Sequence, residues 1–167
     1  MKTTIRQAER ADVDSVSEIL TEAATWLEEL GDQLWTLGEL LPEQILDDVC
    51  EGLYFLAERD GLAVGTLRYQ LEDELYWPDV PPDESAFVHR VAVRRQYAGG
   101  KISTELLRWA VARTAALGRL YLRLDCEAAR PKLREVYERF GFRYHSDRQV
   151  GPHYVARYEY PIADEET

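Results

Sequence analysis

The chain has 167 residues, of which 46% are hydrophobic and 31% charged, the balance of a globular protein with one core. No apolar run approaches the roughly 20 residues that a membrane-spanning helix requires, and no secretory signal is recognisable at the N-terminus. Cys50 and Cys126 form neither a disulfide framework nor a metal-binding motif. We therefore expect a cytoplasmic protein with no membrane contact, in which residues 1–162 form a single domain and residues 163–167 an acidic tail.

The net charge is −11 at pH 7, but it is unevenly distributed along the chain. Residues 89–148 carry a net charge of +8, so the other residues together carry −19. This pattern is typical of a protein with one anion-facing part and one cation-facing part. A nucleic-acid-binding domain is one interpretation, but the acidic chain as a whole would repel phosphate. We therefore expect no nucleic-acid partner.

Hydrophobic periodicity and turn residues predict eleven elements in the order β-α-α-β-β-β-α-β-α-β-β. The helices show apolar residues at spacings of three and four, with proline in the first turn of two of them and glycine at or just after the ends of three. An Asp-Gly pair between two apolar runs predicts a hairpin, and a Gly-Pro pair separates the last two strands. The predicted ranges are 3–7, 11–30, 41–52, 53–59, 62–70, 84–93, 101–118, 119–126, 131–142, 142–150 and 153–162.

The segment VRRQYAGGKIS, residues 93–103, lies where a predicted strand ends and the long helix begins. The first N–H groups of a helix lack internal partners, the helix dipole makes this end positive, and small side chains let an anion approach closely. The small residues are Ala98, Gly99, Gly100 and Ser103, and the added positive charges are Arg94, Arg95 and Lys101. The segment predicts a phosphate site; an ordinary turn, in which glycine only supplies positive φ, is the alternative.

Two stretches resemble the signatures of the GNAT family of N-acetyltransferases. Residues 89–110, HRVAVRRQYAGGKISTELLRWA, resemble the pyrophosphate-binding signature, roughly V-x-P-x-x-[QR]-G-x-G-[IVL]-G followed by a leucine-rich helix. Residues 121–142, YLRLDCEAARPKLREVYERFGF, resemble the second signature, a strand followed by N-x-x-A-x-x-x-Y-x-x-x-G-F. The resemblance implies an α/β (α+β) fold with a mixed, mostly antiparallel central sheet of six to seven strands and about four flanking helices.

The resemblance also implies an activity. It implies direct transfer of an acetyl group from acetyl-CoA to an amine in a ternary complex, with no metal. The expected acceptor is the primary amine of a small cationic or aromatic molecule, or of a peptide. Family members often pair through their last strands, so a homodimer is a further expectation. A catalytically silent acyl-CoA-binding sensor or interaction protein is the alternative from a different class.

The family pattern implies that the backbone of Val91 and Val93 pairs with the pantetheine arm of coenzyme A like an added strand. The residues implied to bind coenzyme A are Val91, Ala92, Val93, Ala98, Gly99, Gly100, Lys101, Ile102, Ser103, Thr104, Arg130, Leu133 and Tyr137. The chain departs from the family pattern at Arg95 (usually Pro), Ala98 (usually Gln or Arg), Lys101 (usually Gly) and Arg130 (often Asn). We expect Lys101 and Arg130 to replace the lost side-chain contacts to the phosphates.

Three residues are candidates for the chemistry. An alkyl amine with a pKa of ~10.4 is only about one part in 10³ neutral at pH 7, so a proton acceptor is needed, and the departing thiolate needs a donor. The resemblance implies that Tyr137 is this donor, with packing of its helix as the alternative. By resemblance to arylalkylamine-type members, His89 is a candidate for proton removal, and a structural histidine is the alternative.

Asp125 ends the strand YLRLD, where it would hold a cationic amine or orient a base; a helix-entry or arginine-paired carboxylate is the alternative. Regular alternation would put His89, Val91 and Val93 on one face of their strand. The candidates for acceptor binding are aromatic residues near acidic ones, Trp35, Trp77 and Tyr154. An acidic, aromatic-rich surface suits a cationic or aromatic amine, although simple packing of these rings is the alternative.

Overall fold

The computed structural model describes residues 2–30 and 35–162, and its elements follow the order predicted from the sequence. Their bounds are β1 (Thr4–Gln7), α1 (Val13–Glu29), α2 (Pro42–Cys50), β2 (Tyr54–Arg59), β3 (Leu62–Gln70), β4 (Ser85–Val93), α3 (Lys101–Ala116), β5 (Tyr121–Glu127), α4 (Pro131–Phe140), β6 (Arg143–Val150) and β7 (His153–Pro161). Short 3-10 turns, which the periodicity does not predict, lie at Arg10–Asp12, Leu37–Leu40 and Arg95–Tyr97. The predicted acidic tail at 163–167 lies outside the described residues.

The strands form a seven-stranded sheet in the order β1-β2-β3-β4-β5-β7-β6. β2 pairs antiparallel with β1 and β3, β4 runs parallel to β5, and β7 pairs antiparallel with β5 and β6. With the four α-helices of the described ranges, this arrangement confirms the predicted mixed, mostly antiparallel fold. Within residues 2–30 and 35–162, every helix is too short or too polar to cross a membrane.

Residue contacts group the chain into two compact units. Unit 1 comprises Met1–Tyr69 and Arg90–Trp109, and unit 2 comprises Gln70–His89 and Ala110–Thr167. The division falls within β4, so that this strand carries His89 in unit 2 and Arg90 in unit 1. That residues 1–162 form a single domain stays a prediction.

The core of unit 1 lies between its two N-terminal helices and β2. α1 carries apolar residues at spacings of three and four, which places them on one side of the helix. The core includes Val16, Ile19, Leu20, Ala23 and Ala24 of α1, Ile45 and Val49 of α2, Tyr54 and Leu56 of β2, and Leu40 and Ala92. The Ser17 hydroxyl donates to the Leu40 carbonyl at 2.6 Å, so this buried polar group of α1 is satisfied.

The core of unit 2 is built on β5 and β7, which pair along their whole length. Their inward-facing residues Leu122, Leu124, Ala156 and Tyr158 are buried. Phe142, just after α4, packs edge-on against Tyr137 and Tyr160, with ring centroids 5.9 and 5.6 Å apart. This packing fixes β5 and α4, the two elements that carry Asp125 and Tyr137.

Gly65 of β3 is a position of unit 1 where a side chain would meet both backbone and core atoms. A Cβ atom there would lie 3.0 Å from Ile102 Cγ2 and 3.2 Å from the carbonyl oxygen of Ala92. Because that oxygen belongs to the backbone, it cannot turn away, and we expect Gly65→Ala to lower the free energy of unfolding by about 1–3 kcal/mol. Urea denaturation measures this change. Gly38→Ala is the control, since its Cβ meets nothing within 4 Å, and equal losses in both variants would contradict the prediction.

Candidate active site

In unit 1, the connection from β4 to α3 presents bare backbone. Gly99 and Gly100 have φ values of 138° and 90°, a region that favours glycine. A Cβ atom at either position would meet nothing within 4 Å, so the space in front of the loop is open. The Ser103 and Thr104 hydroxyls donate to the Gly100 carbonyl at 3.2 and 2.6 Å, which holds the first turn of α3. The backbone in front of the helix start is therefore accessible, as an anion site at a helix N-terminus requires.

A pocket of about 190 Å³ opens beside this loop, within unit 1. Its lining residues are Ala23, Trp26 and Leu27 of α1, Trp35, Val91, Ala92 and Val93 of β4, and Ala98, Gly99, Gly100 and Ser103. Most of the predicted coenzyme A residues of β4 and the loop thus come together around one cavity. Trp35, predicted to bind the acceptor, lines the same cavity.

Two arginines predicted to add positive charge to the loop are engaged elsewhere. Arg94 Nε donates to the carbonyl of Ala63 at 2.7 Å, and its Nη1 donates to Glu18 and Glu22 at 2.8 and 3.1 Å. The backbone N–H of Arg95 donates to Glu22 at 3.0 Å, and its guanidinium lies 5.8 Å from the centre of the Trp26 ring. Both residues therefore fasten the loop to α1, whereas Lys101 is exposed at the start of α3.

β4 contains an irregularity at the boundary between the units. Arg90 has a φ of 53°, a value that a non-glycine residue adopts in a strand only when its surroundings hold it there. Its Nη1 donates to the Tyr54 hydroxyl at 3.0 Å, and its Nη2 lies 3.4 Å from Glu39 Oε1. The regular pleat is thus interrupted after His89, so the shared face expected for His89, Val91 and Val93 does not follow from alternation.

In unit 2, the imidazole of His89 lies between two carboxylates. His89 Nε2 is 2.7 Å from Asp73 Oδ2, and His89 Nδ1 is 3.8 Å from Asp125 Oδ2. The Asp73 and Asp125 side chains are only 4% and 9% exposed. An ionised Asp73 accepts a hydrogen bond from the Nε2–H of His89, and in that tautomer the Nδ1 lone pair is directed toward Asp125. We call these three residues the carboxylate–imidazole cluster.

Sequence reasoning singled out His89 and Asp125 but missed Asp73. Asp73 lies between Glu72 and Glu74, and nothing in the pattern of three consecutive acids distinguishes the middle one. The ligand atoms of the cluster lie within 4.8 Å of one another, a spacing that is also compatible with a bound cation. The expectation of no metal therefore stays a prediction.

Asp125 is the unusual member of the cluster. Its Oδ2 is buried and has no hydrogen-bond partner. Burial raises the pKa of Asp125 from 3.8 to about 6, a shift that His89 and Arg157 oppose and the charges of Asp73 and Glu127 increase. Asp125 therefore gains and loses a proton near pH 6, well above the range of an exposed carboxyl group.

The irregular segment that carries Asp73, residues 71–84, is fastened to β7 by one arginine. Arg157 makes a two-pronged ion pair with Asp79, at 2.7 and 3.0 Å, which lowers the pKa of Asp79 to about 2. The same guanidinium donates to the carbonyl of Tyr76 at 3.1 Å. The Tyr76 N–H in turn donates to Asp73 Oδ1 at 3.0 Å, so Arg157 sets the position of Asp73 through Tyr76.

Trp77, predicted to bind the acceptor, lies inside unit 2. It is 2% exposed, and the guanidinium groups of Arg157 and Arg123 lie 4.5 and 5.2 Å from the centre of its ring. This position favours a packing role over contact with a substrate. Tyr154, the third aromatic candidate, is half exposed, and its hydroxyl donates to Asp147 at 2.8 Å.

α4 carries the remaining predicted residues. Arg130 immediately precedes the helix, and Leu133 and Tyr137 follow at spacings of three and four, which places the three on one side of it. Burial raises the pKa of Tyr137, and the neighbouring Cys126 and Asp125 raise it further, so its phenol stays protonated at neutral pH. Burial also raises the pKa of the Cys126 thiol, to about 12.

The raised pKa of Asp125 has a consequence for stability. The folded protein holds this proton more tightly than the unfolded chain, so Asp125 increasingly destabilises the fold as pH rises from about 4 through about 6. Between about pH 4 and pH 7.5, we expect the free energy of unfolding of the wild type to fall relative to that of Asp125→Asn. The expected difference between the two falls is about 2–3 kcal/mol. Chemical denaturation across this range tests the difference. Asp83→Asn, whose side chain is 91% exposed, should follow wild type, and parallel curves for wild type and Asp125→Asn would contradict the prediction.

Comparisons with known proteins agree with this arrangement. The chain is 30% identical over 141 residues to the uncharacterized N-acetyltransferase YesJ of Bacillus subtilis (strain 168), which covers 80% of this chain and 77% of YesJ. A GNAT family acetyltransferase from Listeria monocytogenes 4b F2365 superposes with a TM-score of 0.80 at 21% identity, covering 96% of this chain and 95% of the other. The PaiA N-acetyltransferase from Thermoplasma acidophilum, solved with coenzyme A, has a TM-score of 0.73 at 18% identity, covering 96% and 100%.

The signatures noted in the sequence fall within a longer match. The model of the acetyltransferase (GNAT) family matches residues 14–142, which include both signature regions, the cluster residues and the glycine loop. The chain therefore belongs to the GNAT family of acetyltransferases.

Proposed function

We propose that this acetyltransferase moves an acetyl group from acetyl-CoA to the primary amine of a small molecule, by direct attack of the amine on the thioester. The observation that carries the proposal is the carboxylate–imidazole cluster, a proton acceptor of low exposure such as amine acetylation needs. A catalytically silent acyl-CoA sensor would not need a proton acceptor. A homodimer, the absence of a nucleic-acid partner and a cytoplasmic location stay predictions of the sequence.

The loop of unit 1 fits coenzyme A. Its open glycines and the first N–H groups of α3 suit a pyrophosphate, and Lys101 adds an exposed ammonium. The backbone of Val91 and Val93 lines the adjoining pocket, where a pantetheine arm would pair with the strand. PaiA of Thermoplasma acidophilum, a protein of the same fold, was solved with coenzyme A, which supports this assignment. When bound, acetyl-CoA supplies the thioester that an uncharged amine attacks.

The carboxylate–imidazole cluster is proposed to take the amine proton. Asp73 fixes the orientation of His89 through the 2.7 Å hydrogen bond, and a proton that arrives at the imidazole is stabilised by both carboxylates. Asp125, with its pKa near 6, shares this proton. The acceptor amine reaches the cluster directly or through a water molecule, and it attacks once it has lost its proton.

Tyr137 is proposed to protonate the departing thiolate. Its raised pKa keeps the phenol protonated, as a general acid requires, and its place on α4 matches the tyrosine of the second signature. The proposed contacts of Arg130 and Leu133 with coenzyme A rest on the same signature. Ring packing of Tyr137 against Phe142 is compatible with both the catalytic and the structural role, so kinetics must separate them.

Substitution in the glycine loop tests the cofactor assignment. Gly99→Glu places a carboxylate in the open space before α3, and we expect the dissociation constant of acetyl-CoA, measured by calorimetry, to rise by about tenfold or more. Gly151→Glu is the matched control, because Gly151 also has a positive φ, of 55°, and open space at its Cβ, but lies in the turn between β6 and β7. Equal acetyl-CoA affinities of the two variants would contradict the proposal that coenzyme A binds at this loop.

Tyr137→Phe tests the general acid. Removing the hydroxyl should lower kcat by about 10²-fold, while acetyl-CoA affinity and the unfolding transition stay close to wild type, because the ring packing is retained. Tyr144→Phe is the control, since its half-exposed hydroxyl donates to Asp147 at 2.8 Å and it belongs to none of the candidate sites. A wild-type kcat for Tyr137→Phe would leave Tyr137 with a packing role alone.

A further inference from the structure

We infer that the acceptor is an amine whose amine-bearing carbon carries no carboxylate, because the carboxylate–imidazole cluster has two carboxyl groups around one imidazole, and Arg157 and Arg123 are already paired with other carboxylates. The inference rests on the proposed function, in which the acceptor amine passes its proton to this cluster. It separates simple amines, amino-acid amides and peptide amines from free α-amino acids.

The cluster is negative unless His89 and Asp125 are both protonated. Asp73, 4% exposed, accepts the hydrogen bond of His89 Nε2, and Asp125 Oδ2 faces Nδ1 with no hydrogen-bond donor of its own. If either His89 or Asp125 holds the shared proton, two carboxyl groups and one imidazole carry a net charge of −1, and without that proton they carry −2. A cationic ammonium group is attracted to such a site, and an anionic group is repelled.

Two buried arginines of unit 2, Arg157 and Arg123, already have carboxylate partners. Arg157, whose charge acts on Asp125, binds Asp79 with both Nη atoms, and its Nε donates to Ser146 at 3.0 Å. Arg123 is held by Glu159 and Glu84, at 3.0 and 3.1 Å. To pair with either of these two arginines, a substrate carboxylate would have to displace its partner from a side chain that is 5–6% exposed.

The covalent structure of an amino acid brings its carboxylate to the cluster. The carboxylate carbon is two bonds from the amine nitrogen, so an amine within hydrogen-bond reach of the cluster places its α-carboxylate roughly 4–7 Å from the cluster carboxylates. At such distances like charges repel strongly enough, at the effective dielectric of a partly buried site, to change a rate by about tenfold or more.

Tyr76 suggests which acceptors to compare. Its ring centre lies 5.7 Å from that of His89, so the cluster has an aromatic neighbour against which an aryl group can pack. Tyramine, tyrosine and tyrosine amide share one aromatic group. Tyramine lacks the carboxylate, and tyrosine amide keeps its bulk without its charge.

The experiment measures kcat/KM for the three compounds by following the thiol released from acetyl-CoA. Each kcat/KM is calculated from the concentration of the uncharged amine, so that differences in amine pKa do not contribute. We expect tyramine and tyrosine amide each to exceed tyrosine by about tenfold or more. Equal values for tyrosine and its amide would overturn the inference. An amide as poor as tyrosine would overturn it as well, because bulk rather than charge would then set the preference.

Variants of the cluster test the origin of the preference. Asp73→Asn and Asp125→Asn should lower all three rates, and each should also reduce the ratio of amide to tyrosine severalfold, because one negative charge is removed. Asp83→Asn removes one charge from an exposed side chain of the same unit and should leave the ratio at its wild-type value. An unchanged ratio in both cluster variants would overturn the inference.

A second series of pentylamine, norleucine and norleucine amide distinguishes this inference from the proposed function. Acetylation of tyrosine or norleucine as fast as its amide overturns the inference and leaves amine acetylation intact. If calorimetry shows acetyl-CoA binding but none of the six compounds is acetylated, both the small-amine acceptor and the inference are overturned.

Discussion

The candidate site depends on one constraint, the cost of keeping two carboxylates and an imidazole together at low exposure. A carboxylate removed from water loses several kcal/mol of hydration and must recover it from partners. Asp73 recovers it from the imidazole N–H and the N–H of Tyr76, whereas Asp125 Oδ2 has no donor, and burial raises the pKa of Asp125 to about 6 instead. The difference between these two carboxyl groups is what makes the cluster able to receive a proton at neutral pH.

The chain keeps Asp73 in place without regular secondary structure. The segment 71–84 has neither helix nor strand along it, and its fixed points are the ion pair of Asp79 with Arg157 and the packing of Trp77 against two guanidinium groups. The two arginines that make these contacts belong to strands of the sheet, Arg157 to β7 and Arg123 to β5. A rigid sheet thus positions a catalytic candidate on a loop, the usual relation between scaffold and site.

Much of the fold could be predicted from the sequence, because helical spacing, proline and glycine punctuation and the Asp-Gly turn are local signals. His89, Asp125 and Tyr137 could be named as candidates because they lie within the family signatures, and the structure brings His89 and Asp125 together. Asp73 could not, because its selection among three consecutive acids depends on a tertiary contact 16 residues along the chain. The positive φ of Arg90 and the burial of Trp77 likewise depend on distant partners, and composition gave no sign of them.

The two thiols of the chain have very different chemical fates. Cys126, 6% exposed and with its pKa near 12, is thiolate in only about one molecule in 10⁵ at pH 7, whereas Cys50 at the end of α2 is exposed. Alkylating agents and peroxides therefore react with Cys50 before they react with Cys126. Oxidative damage would begin at a helix end in unit 1, and the strand that presents Asp125 would keep its sulfur reduced.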